Sequence, residues 1–198
     1  MKSFDLKGTA RTIAERSSAQ ARALKAMRRA GDVPCVLYGG KENVHFTVTA
    51  ESLRKLVYSP DIFVINLDID GHVCKAIVQD LQFHPVKDNV LHVDFLEIVD
   101  GKPIVIEVPV QLNGLAEGVK AGGKLALQIR KLKVKAMYDR VPEHLDIDVT
   151  PLGLGKTIKV GELSYDGIEL LNAKDAVVCA VQLTRAARGA AAAAASAK

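Results

Sequence analysis

The stretch DIFVINLDIDGHVCKAIVQDLQFHP (residues 61–85) decides the architecture. Runs rich in Val, Ile and Leu flank Asp70-Gly71. An Asp-Gly pair between two such runs marks a two-residue hairpin, because both turn positions need positive φ. The stretch therefore reads as two antiparallel strands. Working outward, VLHVDFLEI (90–98) adds a strand after it. VPCVLYGG (33–40) and VHFTVTA (44–50) supply two strands before it, with Val44, Phe46 and Val48 alternating inward. TAESLRKLVYSP (49–60) spaces Leu53, Leu56 and Val57 for a short helix, capped at Thr49 or Ser52 and stopped by Pro60. Phe4, Leu6 and Thr9 alternate loosely in a first strand through about Arg11. Short strands with two helices predict a small barrel-like α+β domain over residues 1–98.

The second of those helices precedes VPCVLYGG. Ser17 or Ser18 offers its N-cap, and Gly31 ends it after Ala30. At about 100° per residue, Arg22, Lys25, Arg28 and Arg29 cover about a third of the circumference. Ala23, Leu24, Met27 and Ala30 lie opposite and are predicted to form the buried stripe. Neighbouring cations repel by roughly 0.2–0.5 kcal/mol per pair. No acid interrupts the segment between Glu15 and Asp32. A helix needing only solubility would intersperse Glu.

The charge is distributed unevenly. Residues 1–31 hold eight Lys/Arg and two acids, a local +6, which leaves −2 for residues 32–198 of a chain whose total is +4. This asymmetry favours an anionic partner for the N-terminal part. Cys35, Cys74 and Cys179 are far apart in apolar runs, which argues against a disulfide framework or a zinc site and for buried free thiols. No stretch has the length of a membrane span or the character of a secretory signal, so the chain reads as soluble and cytoplasmic, with no membrane partner.

Beyond VDGKP (99–103), IVIEVPVQL (104–112) alternates strictly, and LALQIRKLKVKAM (125–137) reads as one long strand carrying Arg130, Lys131, Lys133 and Lys135. GLAEGVKAGG (114–123) reads as a glycine-rich connection. LDIDVT (145–150), KTIKV (156–160), IELL (168–171) and AVVCAVQL (176–183) add strands. Residues 99–184 thus form a second, mainly antiparallel β domain, and the whole chain is α+β, mostly β. The alanine-rich segment 185–198 has no amphipathic face and is expected to be mobile.

Catalysis finds little support. His92 and Asp94, two apart on a strand, share a face, and with His84 they are the raw material of a metal-dependent hydrolase. No nucleophile stands beside them and no second cluster appears, so no catalytic residue, metal, cofactor or small-molecule substrate is assigned. LGLGKT (152–157) lacks phosphate-loop spacing and precedes a strand, so it reads as a turn. Nucleic-acid binding gathers more. The cationic helix supplies phosphate contacts, and Tyr38 beside two glycines can approach a sugar or base. Gln79, Gln82, His92 and Asp94 place donors and acceptors on sheet strands, suited to the shallow minor groove or an irregular loop of RNA.

RRAGDVPCVLYGG (28–40) together with VQDLQFHPVKDNVLHVDF (78–95) resembles the bacterial large-subunit ribosomal proteins of the L25/CTC family, which bind 5S rRNA. The second half, in VPVQLNGLAEGVKAGGKLALQIRKLKVKA (108–136) and PEHLDIDVT (142–150), resembles the extra domain of the two-domain members. The resemblance implies a six-stranded barrel-like domain with flanking helices, similar to the anticodon-binding domains of glutaminyl-tRNA synthetase. It also implies a structural, non-enzymatic role in the large ribosomal subunit, with neighbouring ribosomal proteins as further partners. A transient, stress-associated RNA-binding factor is the alternative. By resemblance, Arg11, Lys25, Arg28, Tyr38, Gln79, Gln82, His92 and Asp94 occupy RNA-contacting positions, and helix geometry adds Arg29. TIAERSSAQARA (12–23) stands where the family has a shorter link containing Gly and Lys. The expected phosphate contacts therefore move toward the C-terminal half of the helix.

Overall fold

A computed structural model describes residues 2–12, 18–40, 42–99 and 101–184. The Ser17 cap and the segment 185–198 lie outside the described residues. The chain forms two compact units, Met1–Lys102 and Pro103–Lys198.

The first unit runs β1 (Lys2–Ala10), α1 (Ser18–Ala30), β2 (Asp32–Tyr38), β3 (Val44–Thr49), α2 (Ala50–Tyr58), β4 (Phe63–Ile69), β5 (His72–Phe83) and β6 (Val90–Glu97). The six strands close into a barrel in the order β1-β3-β2-β6-β5-β4. Closure leaves no open sheet edge. The β4–β5 hairpin turns where the Asp-Gly pair predicts, with φ of 49° at Asp70 and 93° at Gly71. Asp68 Oδ1 accepts from Gly71 N at 3.0 Å and braces the turn. Parallel pairings of β1 with β4 and β2 with β6 complete the ring.

Alternation fills the barrel. Leu6, Val33, Cys35, Leu37, Phe46, Val48, Ile65, Leu67, Val93 and Phe95 point inward, and the rings of Phe46 and Phe95 meet at 5.6 Å. Removing either ring would cost about 3–5 kcal/mol in lost transfer and cavity energy. α2 adds Leu53 and Leu56 to this core. Thr49 is its N-cap, but the Thr49 hydroxyl lies 2.7 Å from that of Ser52 instead of bonding the helix backbone.

The second unit runs β7 (Ile104–Asn113), α3 (Glu117–Lys120), β8 (Lys124–Leu127), β9 (Lys131–Ala136), β10 (Leu145–Asp148), β11 (Thr157–Lys159), β12 (Ile168–Leu170) and β13 (Val177–Gln182). It has one sheet ordered β10-β7-β9-β12 and another ordered β11-β13-β8. All pairings are antiparallel except β10 with β7.

Three readings change here. LALQIRKLKVKAM is two strands in different sheets, broken where Gln128 N and Ile129 N both donate to the Val178 carbonyl. GLAEGVKAGG contains the short helix α3. β9 is an inner strand, so its lysines do not guard an edge. Lys133 pairs with Glu107 at 3.7 Å and Lys135 with Glu169 at 3.3 Å across the sheet. Among the cysteines, Cys35 and Cys179 are buried free thiols, while Cys74 is only half-buried.

Candidate nucleic-acid interface

The inward set on β2 and β6 sends Val36, Tyr38, His92 and Asp94 to the outside of the barrel. Strand register then lines residues up across that outer face. The β1–β3 pairing ends at Ala10 opposite Phe46, and the next residue, Arg11, donates its N–H to the His45 carbonyl at 2.8 Å. His45 pairs with Val36, Val36 with Asp94, and Asp94 with Asp80. One row therefore runs from a cation through an imidazole and a valine to two carboxylates. At about 4.8 Å per strand its four steps span roughly 19 Å.

Around the carboxylate end the predicted readers gather. Gln82 is the cross-strand partner of His92. His92 Nδ1 stands 2.6 Å from Asp94 Oδ1. The contact is close without being aligned as a hydrogen bond, since Nδ1 has no correctly angled acceptor. Gln79 is the extra residue of a β-bulge, because Val78 opposes Phe95 and Asp80 already opposes Asp94. A bulge bends its strand and re-aims a side chain away from the regular pleat. Asp80 Oδ1 accepts from Leu81 N at 2.9 Å beside it. Partial burial, then the charges of Asp94 and Asp80, raise the Tyr38 phenol above its ordinary value, so it remains a hydrogen-bond donor.

The two glycines after Tyr38 have an internal reason that their sequence context does not show. Gly39 holds φ at 99°, and a Cβ there would meet Leu96 Cδ1 at 2.6 Å. A Cβ on Gly40 would overlap the Glu97 carboxylate. They let the loop close onto the end of β6, and Tyr38 is held at the face by that closure.

α1 departs from its expected burial. Among its described side chains only Gln20, Leu24 and Met27 are half-buried; Ala23 and Ala30 are exposed. The packed stripe is narrower than predicted and is centred nearer to Arg28. Arg28 Nε donates to the Leu91 carbonyl at 3.1 Å, tying the helix to β6. Lys25 and Arg29 are exposed. The helix presents a basic face and an alanine face while burying little.

Two buried side-chain nitrogens lack a hydrogen-bond partner among the described residues, Arg11 Nε and His92 Nδ1. Both belong to the predicted set; Arg11 begins the row just described, and His92 lies two residues along β6 from its Asp94. Nearly all buried polar groups in folded proteins are paired; His92 Nδ1 is covered by the Asp94 carboxylate, which leaves Arg11 Nε as the one of the two with no acceptor beside it among the described residues. His84, by contrast, is committed: its Nδ1 accepts from Val86 N and Lys87 N at 3.2 Å each, closing a turn. Among the described residues no group of three His, Cys, Asp or Glu side chains converges to hold a metal, and no helix is long and apolar enough to cross a membrane.

The sequence matches the family model described as Ribosomal L25p family over residues 7–95, and that of the ribosomal protein TL5 C-terminal domain over residues 103–185. The chain belongs to the ribosomal L25p family. Large ribosomal subunit protein bL25 of Bacteroides fragilis is 73% identical over 194 residues, covering 98% of this chain and 99% of that protein. The protein of the same name in Bacteroides thetaiotaomicron is 72% identical over 194 residues, with the same coverage. That of Porphyromonas gingivalis is 57% identical over 193 residues, covering 96% of this chain and 98% of that protein. L25p proteins are a structural, non-enzymatic class, so the His92–Asp94 pair is not catalytic machinery.

Two further polar residues, His45 and Asp80, share the outer face of the L25p domain with the predicted set. Strand alternation was enough to put His45 outside, opposite the inward Phe46. Asp80 was hidden by the bulge, which shifts the inside–outside alternation by one residue at Gln79.

Proposed function

We propose that the chain is a structural constituent of the large ribosomal subunit, in the cytoplasm, and that its first unit docks on 5S rRNA. Arg11, Lys25, Arg28 and Arg29 contact phosphates and set the register, while Tyr38, Gln79, Gln82, His92 and Asp94 select the RNA loop. The observation that carries this reading is that Tyr38, Gln82, His92 and Asp94 share one outer face of the barrel with Arg11, whose Nε has no hydrogen-bond partner among the described residues. An RNA phosphate or base acceptor satisfies the guanidinium. A guanine or cytosine amino group satisfies Asp94 and leaves His92 oriented beside it. The weakly packed basic helix fits the same role, since its exposed faces gain a partner on RNA.

Binding of the full chain to a 5S transcript, compared with a scrambled transcript across a salt series, tests this reading. The expected result is tighter binding to the 5S transcript with a steep salt dependence. Equal affinity for both transcripts overturns it. Co-sedimentation with large subunits through a high-salt wash separates a resident constituent, which stays stoichiometric, from a transient factor.

A further inference from the structure

We infer that His45 is a phosphate-gripping residue acting jointly with Arg11, a role that rests on the RNA-docking reading above. The β3 alternation places His45 and Thr47 outside and Phe46 and Val48 inside. Continuing the β1–β3 register by one residue puts Arg11 directly opposite His45, and the 2.8 Å bond from Arg11 N to the His45 carbonyl fixes that pairing. Side chains of directly opposed residues share a face and lie about 4.5–5.5 Å apart at Cβ. The imidazole is half-buried, and no hydrogen bond from it to another group occurs among the described residues. Beside it the Arg11 guanidinium carries a buried Nε with no acceptor among the described residues.

Two adjacent donors, one cationic and one an imidazole N–H, without a shared acceptor among the described residues form a grip for a single tetrahedral oxyanion. In an RNA-docking face that oxyanion is a backbone phosphate. The rest of the row agrees with this placement. Val36, the next residue, offers only methyl groups, and the carboxylates Asp94 and Asp80 lie beyond it, suited to base amino groups and repelled by phosphate. The row thus sorts backbone from bases: phosphate at the Arg11–His45 end, base edges at the Asp94–Asp80 end. A donor on either side of one phosphate also fixes the lateral position of the RNA against the carboxylates.

The test is a double-mutant cycle in the full chain, read as affinity for the 5S transcript at several salt concentrations. His45→Phe keeps the ring's packing and removes both nitrogens; it should weaken binding about threefold to tenfold, the range of one neutral hydrogen bond. His45→Gln restores a donor and should recover most of that loss, which a purely structural role would not predict. Arg11→Ala should reduce the salt slope by about one phosphate contact. Arg11→Ala with His45→Phe should cost less than the sum of the two, because both act on one phosphate. Strictly additive losses, or a His45→Phe protein that binds like wild type, overturn the grip while leaving 5S docking intact. A wild-type chain that does not prefer the 5S transcript overturns both. Unchanged thermal unfolding of His45→Phe and His45→Gln confirms that the comparison is between folded proteins.

Discussion

Arg28 holds the carbonyl of Leu91, and Leu91 is the residue that the β5–β6 ladder leaves out. Gln82 opposes His92 and Phe83 opposes Val90, so Leu91 stands without a cross-strand partner. Arg28 Nε donates to its oxygen at 3.1 Å. A bulge in one element thereby anchors a helix that buries none of its described side chains fully. The anchor uses one of five guanidinium N–H donors, leaving others for a phosphate.

Arg28→Lys should therefore separate anchoring from charge. Lysine keeps the cation but lacks the planar fork that reaches both ways. We expect amide exchange across α1 to quicken by about threefold to tenfold in Arg28→Lys, the range for one hydrogen bond. The salt slope of RNA binding should stay near that of wild type. In Arg28→Ala both should change, with the slope falling by about one phosphate contact. Hydrogen exchange and a salt titration check the pair; unchanged exchange in both variants would remove the anchor.

His92→Ala should cost about 1–3 kcal/mol of affinity for the 5S transcript and much less for a scrambled one. The imidazole stands 2.6 Å from Asp94 and across from Gln82, so its loss disorders the reading cluster without removing a phosphate contact. Competition binding with the two transcripts measures this directly. Equal losses on both would take His92 out of the selecting set.

Much of the barrel was legible because its signals are local. Asp70-Gly71 states its turn type outright, and the alternation around Phe46 and Val93 states which side is core. What was not legible depends on pairing. The bulge at Gln79 arises only when β5 and β6 are laid side by side, and with it the opposition of Asp80 to Asp94. LALQIRKLKVKAM alternates as one strand, yet Gln128 N and Ile129 N both turn to the Val178 carbonyl of β13, the neighbour of β8, and the remainder joins the other sheet as β9. For α1 the period was right, but the breadth of the buried stripe depends on how closely the barrel approaches, which the helix sequence does not record.

Asp80→Asn should stabilise the protein. Like charges directly opposite on neighbouring strands cost about 0.2–1 kcal/mol, and Asp80 opposes Asp94. The amide also retains an oxygen able to accept from Leu81 N, as the carboxylate does at 2.9 Å. The expected outcome is a higher urea midpoint with an unchanged m-value. Asp94→Asn should give a similar gain, and the double variant less than the sum. A lower midpoint in Asp80→Asn would show that the carboxylate's bond at the bulge outweighs the repulsion.

Gly118→Ala should damage the second unit. A Cβ there would lie 2.7 Å from Gly153 C and Leu154 N and 2.9 Å from Gly153 O, all backbone atoms that cannot swing aside. Gly118 N also donates to the Leu152 carbonyl at 2.9 Å, so the α3 turn is clamped on the LGLGKT loop. That contact gives the glycine-rich loop a packing role. Overpacking of this kind costs about 1–3 kcal/mol. Thermal unfolding monitored by amide signals from β7–β13 should shift downward; an unchanged midpoint for these signals would show that the loop yields to the added methyl.

Alkaline pH offers the last check, through Cys35. Burial first and the Asp94 charge second push its thiol from an ordinary 9.0 up to about 12, against smaller opposing effects from the Val93 backbone and Arg11. The folded state therefore keeps a proton that the unfolded thiol releases. Stability from this group is complete below the unfolded value of 9.0 and falls as pH rises toward the folded value of about 12. The slope is of order 1 kcal/mol per pH unit in that window. Cys35→Ala loses this contribution, so its stability should decline less steeply than that of wild type above pH 9.0, although it starts lower because of the cavity. Urea unfolding of both proteins between neutral and strongly alkaline pH measures the difference. Parallel decline of the two curves would show that Cys35 ionises as readily in the fold as outside it.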